Sequence, residues 1–212
     1  MKQQILTRLG RKFARLTTDV AVRQPRLWRL FRPLMRKQFD SIAPQWDAMR
    51  DPTHLASYEA ALDSIEPAPA RALDLGTGTG QGAFALARRF PQAQVVGADL
   101  ADRMLEEARR KMPSELGERV RFERADASAL PYENESFELV ALANMIPFFD
   151  ELDRVLAPGG HALFAFSMGA DTPIYVPPQR LRKELERRGF TDFAEFAAAQ
   201  GTALLARKDD RP

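Results

Sequence analysis

The chain has 212 residues, 45% hydrophobic and 28% charged, enough for one α/β domain with a full core plus an appendage. It has no cysteine, which excludes disulfides, thiolate metal sites and cysteine nucleophiles; its two histidines, His54 and His161, are too few for a His-rich metal site. The net charge of +2 hides an asymmetry, because residues 1–38 hold eleven Lys/Arg against one acid, Asp19, and a basic arm therefore precedes an acidic remainder.

Taken in chain order, residues 1–38 read as a basic amphipathic helical arm. Ile5, Leu6, Leu9, Phe13, Leu16 and Val20 fall on one helical stripe. After Gln24-Pro25 the theme repeats with Leu27, Trp28, Leu30, Phe31, Leu34 and Met35, interleaved with Arg26, Arg29, Arg32 and Arg36, and Pro33 should kink the segment. Residues 39–69 read as a helical connector, with Phe39, Ile42, Trp46 and Met49 on one apolar face. Glu66-Pro-Ala-Pro-Ala70 marks a boundary, and residues 70–212 form the main domain.

In that domain strands and helices alternate. Strands are predicted at 71–75, 94–99, 120–123, 137–143 and 161–167, and helices at 79–90, 103–112, 149–156 and 177–188. Ala157-Pro-Gly-Gly160 should break the third helix before its strand. Segments 192–198 and 202–208 form a closing hairpin turned at Gln200-Gly201. Alternation implies a mostly parallel Rossmann-like sheet with helices on both faces and an antiparallel terminal hairpin. There is no run of eighteen apolar residues and no compact apolar signal sequence near the start, so the expectation is a cytoplasmic protein.

The chemistry starts at Asp74-Leu-Gly76-Thr-Gly78-Thr-Gly80, a strand end, a glycine turn and a helix start. The turn lets a ligand approach the backbone. Gly78-Thr-Gly-Gln-Gly-Ala83 also fits a dinucleotide loop, but a carboxylate just before such a loop repels a pyrophosphate. Asp74 suits a ligand that carries ammonium or sulfonium charge. Asp99 ends the second strand, where an acid can accept from both ribose hydroxyls. Its alternative role is capping the next helix, a duty that Asp102 fits better. Leu100 and Met104 would lie against an adenine face.

The order Asp-x-Gly-x-Gly-x-Gly resembles motif I of the class I S-adenosylmethionine-dependent methyltransferases. Phe122-Glu-Arg-Ala-Asp126-Ala127, Leu130-Pro-Tyr-Glu-Asn-Glu-Ser-Phe-Glu-Leu-Val140 and Leu152-Asp-Arg-Val-Leu-Ala-Pro-Gly-Gly160 resemble later segments of that superfamily and follow in its order. Phe39-Asp-Ser-Ile-Ala-Pro-Gln-Trp-Asp-Ala-Met49 is similar to the leading segment of its ubiquinone/menaquinone-biosynthesis type, with Trp46 where Tyr is usual. The resemblance implies a seven-stranded sheet and S-adenosyl-L-methionine as cofactor. It implies that Asp74, Gly76, Thr77, Gly78 and Gly80 hold the methionine end through loop N–H groups and the Asp74 carboxylate. Asp99 would hold the ribose, Asp126 and Ala127 the adenine, and Trp46 would close the pocket.

The acceptor side is less marked. Ala143-Asn144-Met-Ile-Pro-Phe-Phe149 follows the fourth strand, and Asn144 could bond the acceptor or the cofactor. Phe148 and Phe149 suggest either an apolar pocket or core. His54 and Tyr58, four apart, could line the acceptor mouth. No metal is expected. The acceptor is read as a small or lipophilic molecule, a quinone precursor or a phospholipid-like head group. For the arm, an anionic membrane surface and an intramolecular lid rank equally, with RNA third. Two further readings stay open: a nicotinamide-dependent oxidoreductase, and a non-catalytic membrane-associated protein that keeps the fold. Oligomeric state is not assigned.

Overall fold

A computed structural model describes Thr18 and residues 24–210. Seven strands form one sheet: β1 (Arg71–Leu75), β2 (Gln94–Asp99), β3 (Val120–Arg124), β4 (Phe137–Ala143), β5 (Leu156–Phe166), β6 (Phe190–Ala198) and β7 (Gly201–Lys208). Their spatial order is β3-β2-β1-β4-β5-β7-β6. Pairs from β3 through β5 are parallel, and β7 runs antiparallel to both β5 and β6. The chain winds outward from β1 in one direction and then, from β4, in the other. That reversal opens a crevice beyond the carboxyl ends of β1 and β4.

The central strands β1, β2, β4 and β5 are buried on both faces and alternate between two cores. Leu73, Leu75, Val96, Val140, Leu142 and Phe164 join one cluster, with Leu152, Leu181 and Leu185 from α5 (Phe149–Val155) and α6 (Pro178–Glu186). Ala72, Val95, Leu139, Ala141 and Leu163 join the other, with Tyr58, Leu62, Phe84, Leu86 and Leu105 from α2 (Ala56–Leu62), α3 (Gln81–Arg89) and α4 (Asp102–Arg110).

Helix α1 (Trp28–Ile42) runs across both sides of Pro33 and on to Ile42, so residues 38 and 39 lie inside one helix. Trp28 and Met35 are buried in the first cluster. Two short 3-10 turns, Ala43–Gln45 and Asp47–Met49, carry the chain towards α2. Residues 1–17 and 19–23, which hold the first apolar stripe of the arm, lie outside the described residues.

Three local expectations are corrected. Ala157-Pro-Gly-Gly160 does not separate helix from strand, because β5 already begins at Leu156. Pairing jumps from Phe137↔Leu156 to Leu139↔His161, so the extra residues, with Gly159 at φ +74°, bulge out of the ladder without ending it. The closing turn is Ala199-Gln200, and Gly201 is already paired with Ala198 in β7. Asp102 does not cap α4; it is the first helical residue, and Asp40 of α1 accepts the Arg103 N–H at 3.0 Å.

Candidate active site

A cavity of about 830 Å³ opens at the carboxyl ends of β1, β2 and β4. Gly76 and Gly78 lie on its floor, whereas the predicted Gly80 does not line it, because that residue turns into the core, where a Cβ would meet Phe122, Phe84 and Ala108. Gly76, Gly78 and Gly80 all have left-handed backbone (φ +77°, +53° and +88°), which a side chain disfavours. A Cβ on Gly78 would sit 3.2 Å from Trp46 Nε1, so the indole roofs the loop. Trp46 is held edge-on against Phe39, with ring centroids 5.7 Å apart.

The loop differs from expectation in one respect. Gly76 and Thr77 donate their N–H groups to the Ala98 carbonyl at 2.8 and 3.0 Å, and Gly80 donates to Thr77 O at 2.9 Å. Gly78 donates to Asp99 Oδ2 at 2.8 Å. A buried loop must satisfy its own amides, and these four are engaged within the protein. The loop offers close approach and shape, and charge recognition is left to the acids beside it.

Asp74 is 2% exposed at the end of β1. It accepts Thr77 Oγ1–H at 2.6 Å and Tyr58 O–H at 3.5 Å. Burial pushes its carboxyl up to about 6, assisted by the charge of Asp99 and opposed by the Thr77 and Ala83 hydrogen bonds. Asp99 is also raised by burial, although the Ala101, Gly78 and Leu100 amides favour its charged form. Its Oδ1 accepts the Ala101 N–H at 2.9 Å. Asp99 therefore ties the loop to the entrance of α4 while lining the cavity with Leu100 and Met104.

Asp126 and Ala127 line the far side. The Asp126 carboxylate accepts Trp28 Nε1–H at 3.0 Å, Arg32 at 2.9 Å, and both the N–H and hydroxyl of Ser128. Burial alone would raise it, but these donors outweigh burial and hold it below the usual carboxylate range. Trp28 packs edge-on against Phe148, centroids 5.5 Å apart. The second half of the arm is thus a wall of the cavity.

Other predicted residues scatter. His54 lines the cavity, and its Nδ1 lies 2.8 Å from Asp51 O. A carbonyl only accepts, so in the neutral ring the lone pair is on Nε2. Tyr58 is fully buried beneath Asp74 and does not reach the acceptor mouth, because α2 turns it towards the sheet. Phe148 and Phe149 are core, and the apolar lining comes from Ile42, Met49, Leu55, Met145, Met168 and Ile174. Asn144, at φ +53°, lines the cavity, and its Oδ1 accepts the Ser167 N–H at 2.9 Å, fastening the ends of β4 and β5 together.

Three contributors escaped the sequence reading. Asp47 accepts from Thr79, from Lys111 at 2.7 Å and from Gln81 at 3.5 Å, which pins the segment before α2 to the loop. Met145 covers Gly76, where a Cβ would meet its Sδ at 2.8 Å. Arg50 stacks over Trp46, its guanidinium carbon 4.2 Å from the ring centroid. The Trp-Asp-Ala-Met-Arg run was a visible signal for Asp47 and Arg50; Met145 had none. Among the described residues no cluster of His, Cys, Asp or Glu could hold a metal.

An acid-flanked glycine loop at the switch point of this seven-stranded sheet defines a class, and a methyltransferase-domain family model matches residues 72–160. Over that segment the chain is similar to the class I S-adenosylmethionine-dependent methyltransferases. It is 44% identical over 137 residues to a demethylmenaquinone methyltransferase of Thermus thermophilus, covering 58% of this chain and 60% of the relative. It is 36% identical over 154 residues to a malonyl-[acyl-carrier protein] O-methyltransferase of Halorhodospira halophila, covering 66% of this chain and 50% of that one. The chain thus spans half to three fifths of the length of these relatives. Human N-acetylserotonin methyltransferase, solved with S-adenosylmethionine, shares the fold with TM-score 0.62 at 18% identity, covering 82% of this chain and 56% of that one.

S-adenosylmethionine is the cofactor of this class, and the cavity suits it. Its length is lined in turn by a buried acid, a glycine floor, an acid at the end of β2 and the Leu100/Met104 wall.

Proposed function

We propose that the protein transfers a methyl group from S-adenosylmethionine to a small lipophilic acceptor of the quinone-precursor type. The observation that carries this is one cavity with two characters: acids around the glycine loop, and an apolar remainder formed by Ile42, Met49, Leu55, Met168 and Ile174. The relatives named for demethylmenaquinone add weight to the acceptor class.

The bound cofactor supplies an electrophilic methyl carbon on a sulfonium. Asp74 holds the cationic methionine end, Asp99 the ribose hydroxyls, and Leu100 and Met104 the adenine face. Asp126 has four protein donors already, three of them on Oδ1, so an adenine amino group would take the remaining site on Oδ2. Trp46 and Trp28 exclude water. His54 Nε2 takes the hydroxyl proton of the acceptor as its carbon or oxygen attacks. Rate enhancement comes chiefly from positioning and desolvation.

The direct test is labelled-methyl transfer from S-adenosylmethionine to a demethylated naphthoquinol, with a lipid and metabolite extract in parallel. Transfer to the quinol or to an apolar fraction is the expected result. Binding of adenosylhomocysteine with no transfer to either would support the non-catalytic reading.

A peripheral membrane position is favoured by α1. Leu30 and Leu34 are 74% and 54% exposed, Leu27 lies beside them, and Arg26, Arg29 and Lys37 flank the ridge. Among the described residues no helix is long and apolar enough to cross a membrane. The full chain should co-sediment with anionic vesicles at low salt and less with neutral ones. A chain starting at Phe39 that sediments equally well would remove the arm from this role.

A further inference from the structure

The charges around the cavity are unequal. Asp47, Asp51, Asp74, Asp99 and Asp126 line it, and among the described residues Arg50 is the one lysine or arginine that does. Arg50 is half-buried and stacked on Trp46, whose indole sits over Gly78. It has no ion-paired carboxylate among the described residues. The two acids nearest in sequence are committed elsewhere: Asp47 to Lys111, Thr79 and Gln81, and Asp51 to the N–H and hydroxyl of Thr53. His54, the other basic side chain on this wall, is bonded through Nδ1 to Asp51 O.

A partly desolvated guanidinium without a counter-ion is costly, and the loss is recovered when an anion arrives. Burial lowers Arg50 to about 10, with Asp47 pulling the other way, so it stays charged at neutral pH. The flat fork of Arg, held by its stack on Trp46, suits a planar carboxylate better than a point charge would.

We infer that Arg50 is the carboxylate receptor of this cavity, and that Trp46 is the residue that positions it. The carboxylate is either that of the cofactor's methionine end, whose ammonium falls to Asp74 but whose negative group the acids there would repel, or an acidic group on an apolar acceptor. The inference rests on the cofactor reading above and refines it.

Two ligand pairs separate these sources by calorimetry on the full chain. Adenosylhomocysteine and 5′-methylthioadenosine differ in the amino-acid end. 2-Naphthoate and 2-naphthamide differ in charge on one apolar body. Arg50→Gln should weaken the carboxylate member of one pair by about ten- to a hundredfold and leave its neutral partner within about twofold. Loss in the first pair assigns the cofactor; loss in the second assigns the acceptor. Arg50→Lys keeps the charge without the fork and should show the same selectivity in milder form, which covers the case of a Gln variant that fails to fold. Loss shared equally by both members, or no preference for the carboxylate in either pair, overturns the inference. A wild-type chain that binds neither adenosine compound refutes the cofactor reading separately, and the naphthalene pair then decides Arg50 alone.

Discussion

The glycine loop and helix α1 face one another across the same cavity, yet different forces hold them. The loop is fastened by backbone amides to Ala98 O and to the half-buried Asp99. Helix α1 is fastened by two buried apolar anchors, Trp28 and Met35, and by arginines at the surface. Arg32 reaches Asp126 with its side chain 45% exposed, and Arg36 reaches Asp102 with 38% exposed. Exposed pairs of that kind contribute about 0–1 kcal/mol each. The floor of the site is therefore preformed, and the wall opposite is the part that can open for a ligand to enter. Perturbing the two sides should give effects of very different size.

The largest effect is expected at the floor. Gly78→Val places a branched side chain on left-handed backbone and against Trp46 Nε1, which leaves no room for both the ligand and the indole. Adenosylhomocysteine binding should fall by more than about a hundredfold, some 2.7 kcal/mol or more. Calorimetry measures this, with circular dichroism to check folding. A folded variant with normal affinity would show that the loop is not the cofactor floor. Next comes Asp99→Ala, expected to weaken binding by about 1.5–3 kcal/mol. Part of that loss is indirect, because the Gly78 and Ala101 amides lose their shared acceptor. Asp99→Asn should recover some loop order without the charge, and equal affinity in the Ala and Asn variants would argue that the carboxylate only braces the loop.

This contrast also explains which parts were legible in the sequence. β1, β2 and β4 came out residue for residue because short apolar runs ended at a glycine, an acid and an asparagine, respectively. The placement of Asp74, Asp99, Gly76 and Gly78 at the cavity could be read because it depends on local order along the chain. The cover could not be read that way. The Asp40 cap on α4, the Asp47–Lys111 pair and the Trp28–Asp126 bond join residues 63, 64 and 98 positions apart. No periodicity carries such information. Tyr58 illustrates the same limit: its spacing from His54 is right for one helical face, but α2 begins only at Ala56, so the two are not on one helix. Gly159 was read as a turn because a Pro-Gly-Gly run usually stops an element, and here tertiary pairing kept it in the ladder as a bulge.

A pH effect should come third in size. The Asp74 carboxyl is pushed up to about 6 by burial, so below that pH the empty site prefers the neutral acid. A cationic ligand binds the ionised form, and binding must then release a proton. Affinity for S-adenosylmethionine should be flat above about pH 7 and fall by roughly tenfold by pH 5, as one proton is displaced per ligand bound. Affinity for neutral methylthioadenosine, which lacks both ammonium and sulfonium, should vary less. Equal pH profiles for the two ligands would take Asp74 out of charge recognition.

The smallest effect tests the wall itself. Asp126 joins α1 to the far end of the cavity through Arg32 and Trp28, and the Arg32 pair is the more exposed of the two bonds. A double-mutant cycle on Arg32→Ala and Asp126→Asn, read by thermal unfolding, should give a coupling of about 0.2–1 kcal/mol that shrinks as salt rises. Both tryptophans line the cavity, so their fluorescence reports separately whether α1 shifts when the pair is cut. Trp28→Phe keeps a ring against Phe148 but deletes the Nε1–H donor, and should leave the Arg32–Asp126 coupling intact. A coupling well above 1 kcal/mol, insensitive to salt, would mean that α1 is clamped as firmly as the loop. The preformed floor and openable wall would then be one rigid enclosure, and ligand entry would have to be sought at the rim around Met49 and Met168, both exposed and both lining the cavity.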